Sequence, residues 1–320
     1  MLMSEQELIA IAKKRGYRPE ILEKVYRLLD LLELFMAIPY LRFRLALKGG
    51  TAINLFYSDQ LPRLSLDLDL NYVGSDNKEE MLHDRQELES IITDVLRRHN
   101  YELHRNPKTH AGGKMVLIYK SVLGNKGRLE LDLNYMLRTP LWELESKKSP
   151  AWLKEIEVNV LDKHELAAGK LHALFGREAS RDLFDSHRLL TKWQLDTDKL
   201  RLAFTVYAAM RAESWQSISI DNIIYNTKDI RDKLFPVLKK EHIPMNSISI
   251  EQWASSILEE TKAALGKILP FNTNEIEFLN CLQKNGEIRP EIICEDESFC
   301  KKVKNYPALL WRIKQKNSNN

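Results

Sequence analysis

The chain lacks what a membrane protein or a disulfide scaffold needs. No apolar run in its 320 residues reaches the ~18 that span a bilayer. The most apolar stretch, Leu28 to Leu41, is broken by Asp30, Glu33 and Pro39. There are only three cysteines, Cys281, Cys294 and Cys300; their spacing fits no zinc pattern, and an odd number argues against a disulfide framework. The first residues carry Glu5 and Glu7 and no signal-peptide core. The expectation is a reduced, cytoplasmic protein with free thiols and no membrane partner. His164 and His172 lack an HExxH or similar frame, so the histidines point to no metal. The six tryptophans follow no regular spacing and read as core or interface residues rather than a base-stacking platform. There is no internal repeat, no low-complexity tract and no helix-turn-helix with a basic recognition helix.

Net charge is also small, +3, which neither demands nor excludes a nucleic-acid partner. Its distribution is uneven. From Leu103 to Leu129 there is no acid, while Arg105, Lys108, Lys114, Lys120, Lys126 and Arg128 are all basic. The segment Lys301 to Asn320 is likewise free of acids and carries Lys301, Lys302, Lys304, Arg312, Lys314 and Lys316. Each stretch suits contact with an RNA backbone, or else a solvated face and a frayed end.

What the chain does have begins with two short segments. Leu47-Lys48-Gly49-Gly50-Thr51 is a paired glycine opening a helix. Its backbone N–H groups can hold an anion. Arg63-Leu64-Ser65-Leu66-Asp67-Leu68-Asp69-Leu70 alternates, as a half-buried strand does. Residues two apart on a strand share a face, so the leucines face a core and Asp67 and Asp69 face one open side. Adjacent carboxylates repel, and a cation such as Mg²⁺ relieves this. Arg128-Leu129-Glu130-Leu131-Asp132-Leu133-Asn134 repeats the pattern. If it lies beside the first strand, Asp132 completes a three-carboxylate site able to hold two metal ions. Taken alone, either alternation also suits a strand with acids on its wet face.

The surrounding elements are a helix over 4–16, a second over 19–37, a strand over 64–72 and a long helix over 78–100. Strands follow over 101–105, 114–122 and 128–136, the last two joined by a hairpin at Leu123-Gly124-Asn125-Lys126-Gly127. A short strand spans 157–160. Beyond it the pattern is helical: 163–175 with Asp162 as N-cap and Glu165 at the capping-box position, then 180–193, 198–212, 221–240, 250–268 and 274–284. A mixed α/β first half and an all-helical second half suggest two lobes with a cleft between them, over 1–160 and 161–320. On an unbroken helix Lys170, Arg177 and Arg181 share a face, where three cations suit a triphosphate; a break at Gly176 would blur that register. Asp182 and Asp185, one turn apart, suit holding those cations or a nucleotide's base or ribose. The plainer reading of this cluster is a solvated helix with Arg–Asp pairs.

Together these residues resemble the AbiEii/AbiGii-type nucleotidyltransferase toxins, a branch of the DNA polymerase β-like nucleotidyltransferase superfamily. The matching pieces are Lys48-Gly49-Gly50-Thr51-Ala52, Arg63-x-Ser65-x-Asp67-x-Asp69-Leu70, and Lys170-x3-Leu174-x2-Arg177-x3-Arg181-Asp182-x2-Asp185, within roughly residues 45 to 190. The resemblance implies an α+β fold: a nucleotidyltransferase-like mixed sheet flanked by helices, followed by an all-helical C-terminal lobe. It implies that the glycine turn binds the triphosphate of an NTP, that Asp67 and Asp69 bind Mg²⁺, and that Lys170 and Asp182 have nucleotide-binding or catalytic roles. Its members are the toxin halves of type IV-style toxin–antitoxin or abortive-infection systems. Some add nucleotides to the 3′ end of tRNA and stop translation. The expected partners are therefore an NTP, an RNA acceptor such as tRNA, and a cognate antitoxin encoded nearby. The superfamily's usual Gly-Ser is Gly49-Gly50 here, leaving Thr51 to offer a hydroxyl. The rival readings are nucleotidylation of a protein or small molecule, and a non-catalytic nucleic-acid-binding or antitoxin-like module.

Overall fold

The computed structural model describes residues 3–58, 60–106, 109–244 and 248–319, without the side chains of 317–319. The chain divides into two compact units. The first comprises residues 1–140, 144–161 and 235–243; the second comprises 141–143, 162–234 and 244–320. No helix among the described residues is long and apolar enough to cross a membrane.

The first unit is built on a seven-stranded mixed sheet in the order β3-β4-β5-β2-β1-β7-β6. The strands are β1 Leu45–Lys48, β2 Asp67–Tyr72, β3 Glu102–Arg105, β4 Gly112–Lys120, β5 Lys126–Asn134, β6 Glu145–Lys148 and β7 Glu157–Val160. Only the β2/β5 and β1/β7 pairs are parallel. The helices are α1 Glu5–Arg15, α2 Pro19–Met36, α3 Pro39–Arg42, α4 Gly49–Thr51 with a π turn over Ala52–Phe56, and α5 Lys78–Arg98. Ser4 and Glu7 form a capping box on α1, and Asn77 caps α5. In α2, Ile21, Val25, Leu28, Leu29 and Leu32 recur at helical spacing and are buried, and the helix packs against β5, β7 and α5. Leu68, Leu70, Leu129, Leu131 and Leu133 form the buried side of β2 and β5. The acids between them are half-buried on the other side.

The second unit is helical: α6 Lys163–Gly176, α7 Ser180–Lys192, α8 Thr197–Ala209, α9 Thr227–Asp229, α10 Ile250–Leu265, α11 Thr273–Asn280, α12 Glu297–Lys304 and α13 Pro307–Asn319. Asp162 caps α6 through the amide of His164. Glu165 does not close a capping box. Its carboxyl is buried, accepts from the Leu141 amide at 3.0 Å and the Tyr207 hydroxyl at 3.3 Å, and burial pushes its pKa up to about 8.

Three further expectations change. The helix expected over 221–240 is a chain of short turns, Ile220–Asn222, Thr227–Asp229, Ile230–Leu234 and Phe235–Val237, capped locally by Ser219 and Asn226. Pro236 lacks the amide an uninterrupted helix needs there. Its last part returns to the first unit, where the Leu64 amide donates to Val237 and the Lys239 amide to Pro62. Arg63 and Leu64 lie in this attachment, and β2 starts only at Asp67. The basic C-terminal segment is not a frayed end. It forms α12 and α13, with Phe299, Val303, Tyr306 and Leu309 buried. Of the acid-free stretch, Lys108 lies outside the described residues.

Candidate active site

Strand register builds the site. β2 and β5 run parallel with Asp67 opposite Glu130 and Asp69 opposite Asp132. Lys48 of β1 pairs with Asp69, and Lys114 of β4 pairs with Asp132. Partners in register share a face, on strands about 4.8 Å apart. The sheet therefore presents a four-strand row Lys48–Asp69–Asp132–Lys114, with Asp67 and Glu130 one step along. Lys114 Nζ donates to Glu130 Oε2 at 2.6 Å, and Arg128 donates to Glu130 Oε1 at 2.7 Å. Burial works against the Lys114 charge, but the Glu130 bond and the charges of Asp67, Glu130 and Asp69 outweigh it and raise its pKa. The same contacts overcome burial at Glu130 and lower its pKa.

The glycine turn lies against this row. Gly49 has φ +68°, a left-handed conformation that a side chain resists. A Cβ there would lie 2.2 Å from Asp69 Oδ2, so the absent side chain is what lets the carboxylate approach the turn. At Gly50 a Cβ would lie 2.9 Å from both Arg63 Nη2 and Ser65 Oγ. Arg63 and Ser65 are buried and close over the second glycine. The Thr51 hydroxyl is buried and donates to the Asp67 carbonyl, fastening the turn to β2. Its hydroxyl is thereby used in structure. Asn54 donates to the Gly50 carbonyl at 2.9 Å.

Hard oxygen donors on one face suit a divalent cation. Mg²⁺ needs only one or two protein carboxylates when substrate phosphates and water complete its shell. Asp69 and Asp132 in register, with Asp67 beside them, meet that requirement. Among the described residues no group of three His, Cys, Asp or Glu side chains is placed to hold a metal ion by itself, so substrate phosphates would have to complete the site.

The second predicted cluster belongs to the helical unit. Lys170 Nζ lies 2.8 Å from Asp182 Oδ1 and 3.0 Å from Asp185 Oδ2, and all three are buried. Arg177 Nε holds the other Asp182 oxygen at 2.6 Å from a largely exposed side chain. Burial would raise the Asp182 pKa, but Lys170 and Arg177 lower it on balance. The expected common face of Lys170, Arg177 and Arg181 does not form. α6 stops at Gly176, Arg177 lies in the link, and Arg181 is on α7, half-buried and with no ion pair among the described residues. The break turns Asp182 and Asp185 onto Lys170.

Lys114, Glu130, Arg63 and Asn54 carry contacts that sequence reasoning did not assign. Lys114 belongs to the acid-free basic stretch, but only the β4/β5 register shows that it opposes Asp132.

A row of acids bounded by cations, on a mixed sheet beside a glycine turn that opens a helix, marks the chain as a nucleotidyltransferase. More narrowly, it belongs to the AbiEii family: the family described as "Nucleotidyl transferase AbiEii toxin, Type IV TA system" matches residues 31–265. The fold is similar to that of MenT4, a nucleotidyltransferase toxin from Mycobacterium tuberculosis H37Rv, with a TM-score of 0.56 and 14% identity over 97% of this chain and 99% of that one. An antigenic nucleotidyltransferase-like protein from Paracoccidioides brasiliensis aligns at 16% identity over 68% of this chain and 99% of that chain, with a TM-score of 0.35. Comparison with curated proteins gives no match. Membership implies an NTP substrate, a divalent metal and an antitoxin partner.

Proposed function

We propose that this protein is a Mg²⁺-dependent toxin that transfers a nucleotide from an NTP to the 3′-hydroxyl of an RNA, a tRNA in the cytoplasm, and so blocks translation until a cognate antitoxin, encoded nearby, counters it. The observation that carries this reading is the register of Asp69 with Asp132 beside the Gly49-Gly50 turn. Asp67, Asp69 and Asp132 would hold the metal. A bound Mg²⁺ neutralises phosphate charge and makes the attacking hydroxyl more acidic.

The chain's own groups account for the rest. Amides of the Gly49-Gly50 turn and the Lys48 ammonium receive phosphate oxygens, with Ser65 and Arg63 shaping the turn. Asp132 takes the proton of the RNA 3′-hydroxyl as its oxygen bonds to the α-phosphorus. The bond from that phosphorus to the bridging oxygen breaks, and pyrophosphate leaves with the electron pair. Lys114 offsets the negative charge of the carboxylate row. Lys170 and Asp182, with Arg177, Arg181 and Asp185, are the nucleotide-handling groups of the helical unit in this proposal. The resemblance supports this role, and the burial of Lys170 against two carboxylates suits a positioning function. The test is incubation with each labelled NTP, total tRNA and Mg²⁺. Label on the RNA 3′ end is the expected result. Label on protein or on small molecules alone, or on nothing, refutes the RNA reading.

A further inference from the structure

The helical unit holds a cavity of about 220 Å³ that none of the residues assigned above lines. It lies where the end of α8 and the turn after it meet α11 and α13. Arg211 is its anchor. That side chain is 6% exposed, and its Nε has no hydrogen-bond partner. Its nearest acid, Glu213, sits 3.4 Å from Nη2 on a side chain that is 67% exposed, so solvent weakens the pair. The indole N–H of Trp215, on the same lining, is also buried without a partner. Arg312 and Lys316 complete the polar wall. Arg312 donates to the Ala212 carbonyl, and Lys316 donates to the Lys284 carbonyl at 2.6 Å. Carbonyls orient these cations without neutralising them. The lining thus has three cations against one acid, a formal +2.

Two buried donors without acceptors are costly unless an acceptor meets them. A guanidinium matches the oxygens of a phosphate or carboxylate, and an indole N–H can only donate. The charge selects between those anions: a phosphate monoester carries about −1.5 to −2 near neutral pH, close to the +2 of the lining, whereas a carboxylate carries −1. The cavity is also larger than an oxyanion needs. About 220 Å³ corresponds to roughly seven waters at ~30 Å³ each. Leu282, with the Trp215 ring, gives its remaining wall an apolar surface suited to a ribose or base. Arg312 and Lys316 belong to the basic C-terminal stretch, which thereby gains a specific place.

We propose that this cavity binds the phosphate monoester of a nucleotide, free or at the 5′ end of an RNA, between Arg211, Arg312, Lys316 and the Trp215 indole. The assignment stands on the cavity's own groups, so failure of the transfer assay leaves it unaffected. The test is ¹⁵N NMR of the full chain. The Arg211 Nε–H signal is identified by its loss in R211K and the Trp215 indole signal by its loss in W215F. Inorganic phosphate, AMP, a 5′-phosphorylated trinucleotide RNA and unphosphorylated adenosine are titrated separately. Both signals should move together and saturably with AMP or the RNA and not with adenosine. Movement with AMP marks a free nucleotide as a ligand; movement with the RNA alone marks the RNA. Apparent affinity should fall at least tenfold in the R312A/K316A double variant. Signals that ignore both AMP and the RNA, whether or not inorganic phosphate moves them, or that follow adenosine equally, overturn the proposal, as does unchanged affinity in the folded double variant. The wild-type titration decides even if that variant fails to fold.

Discussion

Replacing Gly49 with alanine perturbs the turn and the Asp69 carboxylate at once. The residue holds φ +68°, where an L side chain costs about 1–2 kcal/mol. The new Cβ would start 2.2 Å from Asp69 Oδ2, and ordinary contact begins near 3.4 Å, so the carboxylate must retreat by about 1.2 Å, the difference of the two. A displacement of about 1 Å at a reacting centre can cost ~100-fold in rate. G49A should therefore lose about 100-fold in turnover while losing only about 1–2 kcal/mol of stability. For the first unit that is a few degrees in Tm, at roughly 2–4 °C per kcal/mol. The assay pairs initial rates of labelled nucleotide transfer with thermal unfolding. G50A is the control. Its nearest neighbours would be Arg63 Nη2 and Ser65 Oγ, at 2.9 Å, rather than a metal-row carboxylate, so it should cost less in rate than G49A. Wild-type turnover in a folded G49A would refute the argument that the missing side chain positions Asp69.

K170A leaves Asp182 and Asp185 buried without their shared ammonium and should destabilise the helical unit by about 3–5 kcal/mol, read by denaturant unfolding; an unchanged midpoint contradicts the buried triad. Glu165 is held protonated up to about pH 8 by burial, against an ordinary 4.5, while hydrogen bonds from Leu141 and Tyr207 pull the other way. Its folded pKa is raised, so the folded state keeps a proton that the unfolded chain releases. Stability contributed here is complete below about 4.5 and is lost as pH rises towards about 8, by on the order of several kcal/mol. E165Q should flatten Tm against pH across that window, and an identical slope in both proteins would count against the assignment. Chelation of divalent metal should abolish transfer, and Mg²⁺ should restore it. Full transfer in excess EDTA would remove the metal from the account.

The parts of the site legible in sequence are those written in local periodicity. Asp67-x-Asp69 and Glu130-x-Asp132 alternate with leucines that are buried, so strand and face follow from a period of two. The glycine pair and the Leu123–Gly127 hairpin follow from turn chemistry. What escaped depends on pairings distant in the chain. β1 is only four residues long and carries no clear alternation of its own. The approach of Asp69 to Gly49, and of Lys114 to Asp132, exists only once strands from three parts of the chain lie in register. Arg63 and Leu64 meet residues 237 and 238, which local pattern assigned to a helix. The Lys170 cluster was visible as residues but not as geometry. One break after Gly176 decides whether its charges line a face or close on each other.

In the proposed function the β2/β5 carboxylate row carries out nucleotidyl transfer. Single-turnover transfer from α-labelled NTP to tRNA, compared between wild type and D132N of equal Tm, tests it most directly. Label is expected on the RNA 3′ end with the wild type, with a loss of at least about 1,000-fold in D132N, since Asp132 would both take the proton and help hold the metal. Transfer at the wild-type rate by D132N would contradict it.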